Sequence, residues 1–96
     1  MTSDRALRVL VADDDDGVTS VVARTLKREG YEVRTASDGD GAVHAMREWA
    51  PDAIVLDVLM PGKDGLAVCR QVRSERPDIG ILMRFQAQNC NSHSVL

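Results

Sequence analysis

Unbroken apolar runs alternate with helical repeats along this chain. Val9-Leu10-Val11-Ala12 and Ala53-Ile54-Val55-Leu56 carry no polar residue, as expected of strands buried on both faces. Between them Val18, Val21, Val22, Thr25 and Leu26 recur at the three-and-four spacing of an amphipathic helix. Asp16 is its expected cap and Gly30 its stop. Arg24, Lys27 and Arg28 then fall on the water side. Residues 31–36 alternate like a short strand. Val43, Met46 and Trp49 with Ala42 and Ala50 predict a second helix closed by Pro51. Leu66, Cys69 and Val72 mark a third helix ending near Arg76-Pro77, and 79–83 reads as a fourth strand.

Strands alternating with helices predict an α/β fold with a doubly wound parallel sheet and right-handed crossovers. In such sheets a site forms beyond the carboxyl ends of the strands, where the winding reverses. For a strand order 2-1-3-4 that point lies between the first and third strands. The first ends on Asp13, Asp14, Asp15 and Asp16, the third on Asp57. Clustered carboxylates repel one another unless a cation joins them. Hard oxygen ligands with room for water suit Mg²⁺, and an acidic Mg²⁺ site points to phosphoryl chemistry.

Ninety-six residues make one domain, near the lower end of what buries a core without staples. A formal net charge of −3 gives the surface no general attraction for nucleic acid or anionic lipid, so no direct nucleic-acid binding is expected. Cys69 and Cys90 form no C-x-x-C pair, which fits a reducing compartment, and Cys69 is expected to pack as a small apolar residue. No apolar segment suggests a signal peptide or membrane span. A cytoplasmic protein is expected.

With these residues in hand, the chain from 7 to 83 resembles the receiver domain of two-component response regulators. The resemblance rests on Val9-Leu10-Val11-Ala12-Asp13-Asp14, on Glu29-Gly30-Tyr31-Glu32-Val33, and on Leu56-Asp57-Val58-Leu59-Met60-Pro61-Gly62-Lys63-Asp64-Gly65. It implies a flavodoxin-like fold in the 2-1-3-4 order. By that resemblance Asp57 is the phosphoacceptor, charged by a sensor histidine kinase. Asp13, Asp14, Asp57 and the backbone carbonyl of Leu59 would hold Mg²⁺. Alignment and charge neutralisation suffice for a weak carboxylate nucleophile, because phosphoryl transfer passes through a loose transition state. Pro61 and Gly65 would shape the loop presenting Asp57.

From residue 84 the sequence departs from this pattern. We divide the chain into an incomplete receiver, 1–83, and an irregular tail, 84–96. Receivers usually carry Thr or Ser just past the fourth strand, where Phe85 stands, and a lysine after a fifth strand. The only lysines are Lys27 and Lys63. The last helix-strand-helix portion is missing, so impaired activity is expected. With the first helix on one face and the next two on the other, one face of strands three and four should be bare. Ile54, Val55, Leu56, Ile81 and Leu82 would supply apolar side chains to both faces of these strands, leaving an exposed patch that invites self-association.

Two other functions compete. Asp14-Asp15-Asp16-Gly17 also resembles the Asp-x-Asp-Gly signature of haloacid-dehalogenase-type phosphatases, with Asp14 as nucleophile and Asp16 as acid/base. Alternatively, the chain is a non-switching fragment that docks a kinase through its intact first helix. Asp38-Gly39-Asp40-Gly41 reads as a turn and helix cap, and His44 and His93 as solvent residues. Arg70, Arg73 and Arg76 read as cations opposing a helix dipole.

Overall fold

The computed structural model describes residues 6–57 and 65–83. Along them run β1 (Arg8–Ala12), α1 (Asp16–Arg28), β2 (Glu32–Ala36), α2 (Gly39–Trp49), β3 (Ala53–Leu56), α3 (Gly65–Glu75) and β4 (Gly80–Met83). All strand pairs are parallel and the order is β2-β1-β3-β4, as the doubly wound reading requires. The tail, including Phe85, Cys90 and His93, lies outside the described residues, as do Leu59, Pro61 and Lys63.

Alternation along the strands divides the apolar side chains between two layers. Leu10 and Ala12 of β1 lie beside Ile54 and Leu56 of β3 and point to the same face. Against them pack Ala42, Val43, Met46 and Trp49 of α2, then Val68, Cys69 and Val72 of α3, in one buried cluster. Each large side chain fully buried there contributes about 1.5–3 kcal/mol. Cys69 is fully buried in this cluster.

On the other face α1 packs against β1 and β2, over the buried Val9 and Val11. The apolar stripe expected on this helix is rotated from its predicted line. Thr19 and Ala23 are its buried residues, whereas Val21 is 59% exposed and Thr25 is exposed. Small side chains let the helix lie close to the sheet, and the Thr19 hydroxyl donates to the Asp16 carbonyl, 3.1 Å, so its burial strands no polar group. The start of α1 is corrected as well. Asp15, not Asp16, is the cap, its carboxylate accepting from the N–H groups of Gly17 and Val18 at 2.9 and 3.2 Å. Gly30 ends the helix with φ +101°. Its N–H donates to the Lys27 carbonyl while that of Tyr31 donates to Leu26, the paired bonds of a Schellman motif.

No described helix covers β3 and β4 on the α1 side. Val55 lies beside Leu82, which is 50% exposed, and a groove of about 450 Å³ opens between them, Leu7, Leu26 and Tyr31. The bare face expected from the crossovers is present among the described residues.

Polar contacts fasten the ends of the elements. Arg8 donates from its guanidinium to the Trp49 carbonyl, 2.7 Å, and its N–H donates to Asp52 Oδ2, 2.8 Å. Arg8 and Arg34 both stack on the Trp49 ring, 5.6 and 5.0 Å from its centroid. Arg73 and Arg76 do more than oppose a dipole. Arg73 donates to the carbonyls of Pro77 and Ile79, and Arg76 to that of Pro51, tying the end of α3 to neighbouring turns. Asp38 caps α2 through the Gly41 N–H, 2.7 Å, as the turn reading expected, and His44 is exposed beside Glu48.

Candidate phosphoacceptor and metal site

Parallel pairing brings the ends of β1 and β3 together. The Asp57 N–H donates to the Ala12 carbonyl, 3.0 Å, and the Asp13 N–H donates to the Ala36 carbonyl, 3.1 Å. The strand ladder therefore continues one residue past each strand and fixes both backbones where the acids begin. Asp13 and Asp57 are buried, at 3% and 8% exposure, while Asp14 is exposed.

One carboxylate oxygen from each of Asp13, Asp14 and Asp57 lies within 4.8 Å of the other two. Like charges held this close, two of them out of solvent, favour a bound cation. The donor set is all oxygen, with one ligand open to water. It fits a hard divalent ion that keeps part of its hydration shell, as Mg²⁺ does. Leu59, the fourth ligand suggested by resemblance, lies outside the described residues. Asp16 does not join this group of carboxylates. It sits exposed in the first turn of α1, so the phosphatase pairing of Asp14 with Asp16 finds no support in the geometry.

Asp15 escaped the sequence reading. Its carboxylate caps α1 and its N–H donates to Asp13 Oδ1, 2.9 Å. The available signal was the spacing to Gly17 and Val18, which stand at the second and third helical positions from Asp15, where a cap finds its donors.

The comparisons with known proteins decide the family. The model of the response regulator receiver domain matches residues 9–93, most of the chain. This chain belongs to the response regulator receiver domain family. Among curated relatives, the receiver is 48% identical over 77 residues to response regulator MprA of Mycolicibacterium vanbaalenii, covering 80% of this chain and 33% of that protein. The chain thus spans about a third of the length of the curated relatives it matches. Among solved structures it is similar to chemotaxis protein CheY4 of Vibrio cholerae, with TM-score 0.77, 36% identity, and coverage of 81% of this chain and 67% of that one. It is likewise similar to response regulator TrrA of Thermotoga maritima, crystallised with Mg²⁺ and BeF, with TM-score 0.77, 33% identity, and coverage of 82% and 70%. Receiver domains bind Mg²⁺ at an acidic pocket, and this receiver presents an aspartate cluster of that kind. No described helix is long and apolar enough to cross a membrane.

Proposed function

We propose that this receiver accepts a phosphoryl group on Asp57 from the phosphohistidine of a sensor histidine kinase. The observation carrying the reading is the convergence of Asp13, Asp14 and Asp57 at the switch point of the sheet. Mg²⁺ held by Asp13, Asp14, Asp57 and the Leu59 carbonyl would neutralise the charge of the incoming phosphoryl oxygens. A carboxylate oxygen of Asp57 forms the new P–O bond as the P–N bond to histidine breaks, and the electron pair returns to the imidazole. The fixed backbone of β3 holds Asp57 for in-line approach, leaving little orientation to be lost in the transition state. Similarity to a chain crystallised with Mg²⁺ and BeF supports this assignment.

Receiver domains of response regulators interact with sensor histidine kinases. We assign kinase docking to α1, whose exposed Val21 and half-buried Val18 lie on the helix that starts at the acidic end. We assign residues 1–83 to the receiver and 84–96 to a tail, whereas the family match itself runs to residue 93. Phe85 has no hydroxyl to offer a phosphoryl group, so phosphorylation is slow and the switch impaired; the chain then acts mainly by occupying a kinase. The bare face beside Leu82 drives self-association. As in response regulators generally, the protein works in the cytoplasm.

The test is intact-mass spectrometry after incubation with phosphoramidate and MgCl₂. One phosphoryl adduct is expected on the wild type, none on Asp57→Asn, and none in EDTA. An adduct that survives Asp57→Asn but is lost in Asp14→Asn would overturn the assignment in favour of Asp14 as nucleophile.

A further inference from the structure

The loop between β1 and α1 contains two hydrogen-bonded steps in series. The N–H groups of Gly17 and Val18 hold the Asp15 side chain at 2.9 and 3.2 Å, and the Asp15 N–H holds Asp13 Oδ1 at 2.9 Å. Further bonds reinforce the first step, because the Thr19 N–H donates to the Asp15 carbonyl at 3.0 Å and the Thr19 hydroxyl donates to that of Asp16. Residue 15 is thereby fixed by its side chain, its carbonyl and its N–H at once. The last of these touches a carboxylate of the candidate metal site. Asp15 itself is exposed and stands outside the cluster.

We propose that Asp15 is a positioning residue for the metal site, orienting the Asp13 carboxylate toward Asp14 and Asp57 by anchoring the first turn of α1. This rests on the reading that Asp13, Asp14 and Asp57 bind Mg²⁺. An N-cap is normally a stability device. Here the cap also aims a ligand, because one carboxylate oxygen bonded to a fixed N–H sets the plane in which the other lies. Loss of such an outer contact weakens metal binding even though the ligands themselves remain. What matters is the acceptor oxygen of the cap and not its charge, so asparagine at this position serves where glycine and alanine do not.

Mg²⁺ titration of the full chain, followed by amide NMR shifts, separates these roles. The wild type and Asp15→Asn are expected to bind within about twofold of each other, whereas Asp15→Ala weakens binding by about tenfold. Asp15→Gly keeps the cap backbone at little cost in stability, so it guards against failure of the alanine variant to fold, and it should lose affinity as alanine does. If Asp15→Ala and Asp15→Gly bind Mg²⁺ like the wild type while melting lower, Asp15 is only a helix cap and the proposal is overturned. Equal weakening in Asp15→Asn and Asp15→Ala would overturn it in favour of a charge effect. Absence of Mg²⁺ binding to the wild type would instead remove the site reading, and this inference with it.

Discussion

Replacing Asp57 with asparagine keeps the size of the side chain and removes one of three negative charges, so it should stabilise the metal-free fold and remove the gain from Mg²⁺. One carboxylate oxygen from each of Asp13, Asp14 and Asp57 lies within 4.8 Å of the other two. At that spacing a pair of unit charges repels by about 0.9 kcal/mol in water and about 3.5 kcal/mol at an effective dielectric of 20. Asp57 takes part in two of the three pairs. Its partner Asp13 is buried, which favours the upper figure, and Asp14 is exposed, which favours the lower. Allowing for relaxation of the site, Asp57→Asn should stabilise the metal-free fold by about 1–3 kcal/mol. For a domain of this size each kcal/mol raises the melting temperature by about 4–8 °C. Mg²⁺ at ten times its dissociation constant stabilises the wild type by about 1.4 kcal/mol, and the variant should lose that increment. Thermal melts by circular dichroism in EDTA and in MgCl₂ read both effects. A variant that melts below the wild type in EDTA, or gains as much from Mg²⁺, would refute the electrostatic account of the cluster.

Other consequences can be checked on the same material. Ala50 holds φ 53° and ψ 62° at the end of α2; Ala50→Gly should relieve about 1 kcal/mol of left-handed strain, and a lower denaturant midpoint would count against this. The hydrogen bond from Arg47 holds Glu75 down at about 2, below its ordinary 4.5. Since the folded-state value is depressed, the stabilisation is complete above the ordinary value and fades as pH falls from 4.5 toward 2. The stability gap between wild type and Glu75→Gln should therefore shrink over that window, and a gap independent of pH would contradict the assignment. Leu82→Lys places a charge on the bare face and on the open strand, and should reduce association in sedimentation velocity. An ideal wild-type monomer at high concentration would remove the premise.

Much of this arrangement was readable in the sequence because its signals are local. The unbroken run from Val9 to Ala12 and the carboxylates that follow it mark a buried strand opening into a site, whatever surrounds them. The strand order needed the family resemblance, since periodicity alone does not say which strands are neighbours. The face of α1 was misread at Val21 because hydrophobicity was weighted over size. A close helix-sheet contact selects Thr19 and Ala23 even though valines are more apolar. The cap was misplaced by one residue for a related reason. In a run of four aspartates composition does not choose among them, and the choice falls to whichever carboxylate reaches two helical N–H groups. The backbone roles of Arg73 and Arg76 were hidden because their acceptors come from other turns.

The Trp49 ring, stacked on by Arg8 and Arg34, is the chain's only tryptophan, and it lies at the end of the sheet where β1 begins. Asp13 stands five residues further along, about 16 Å away by the rise of an extended strand. Its emission is consequently a remote reporter. A bound ion or phosphoryl group at the acids would reach that fluorescence through movement of the elements packed around the ring, not by contact with it. A change in emission on loading the site would thus measure mechanical continuity through the sheet, and a silent tryptophan beside clear local NMR shifts would mean that the two ends move independently.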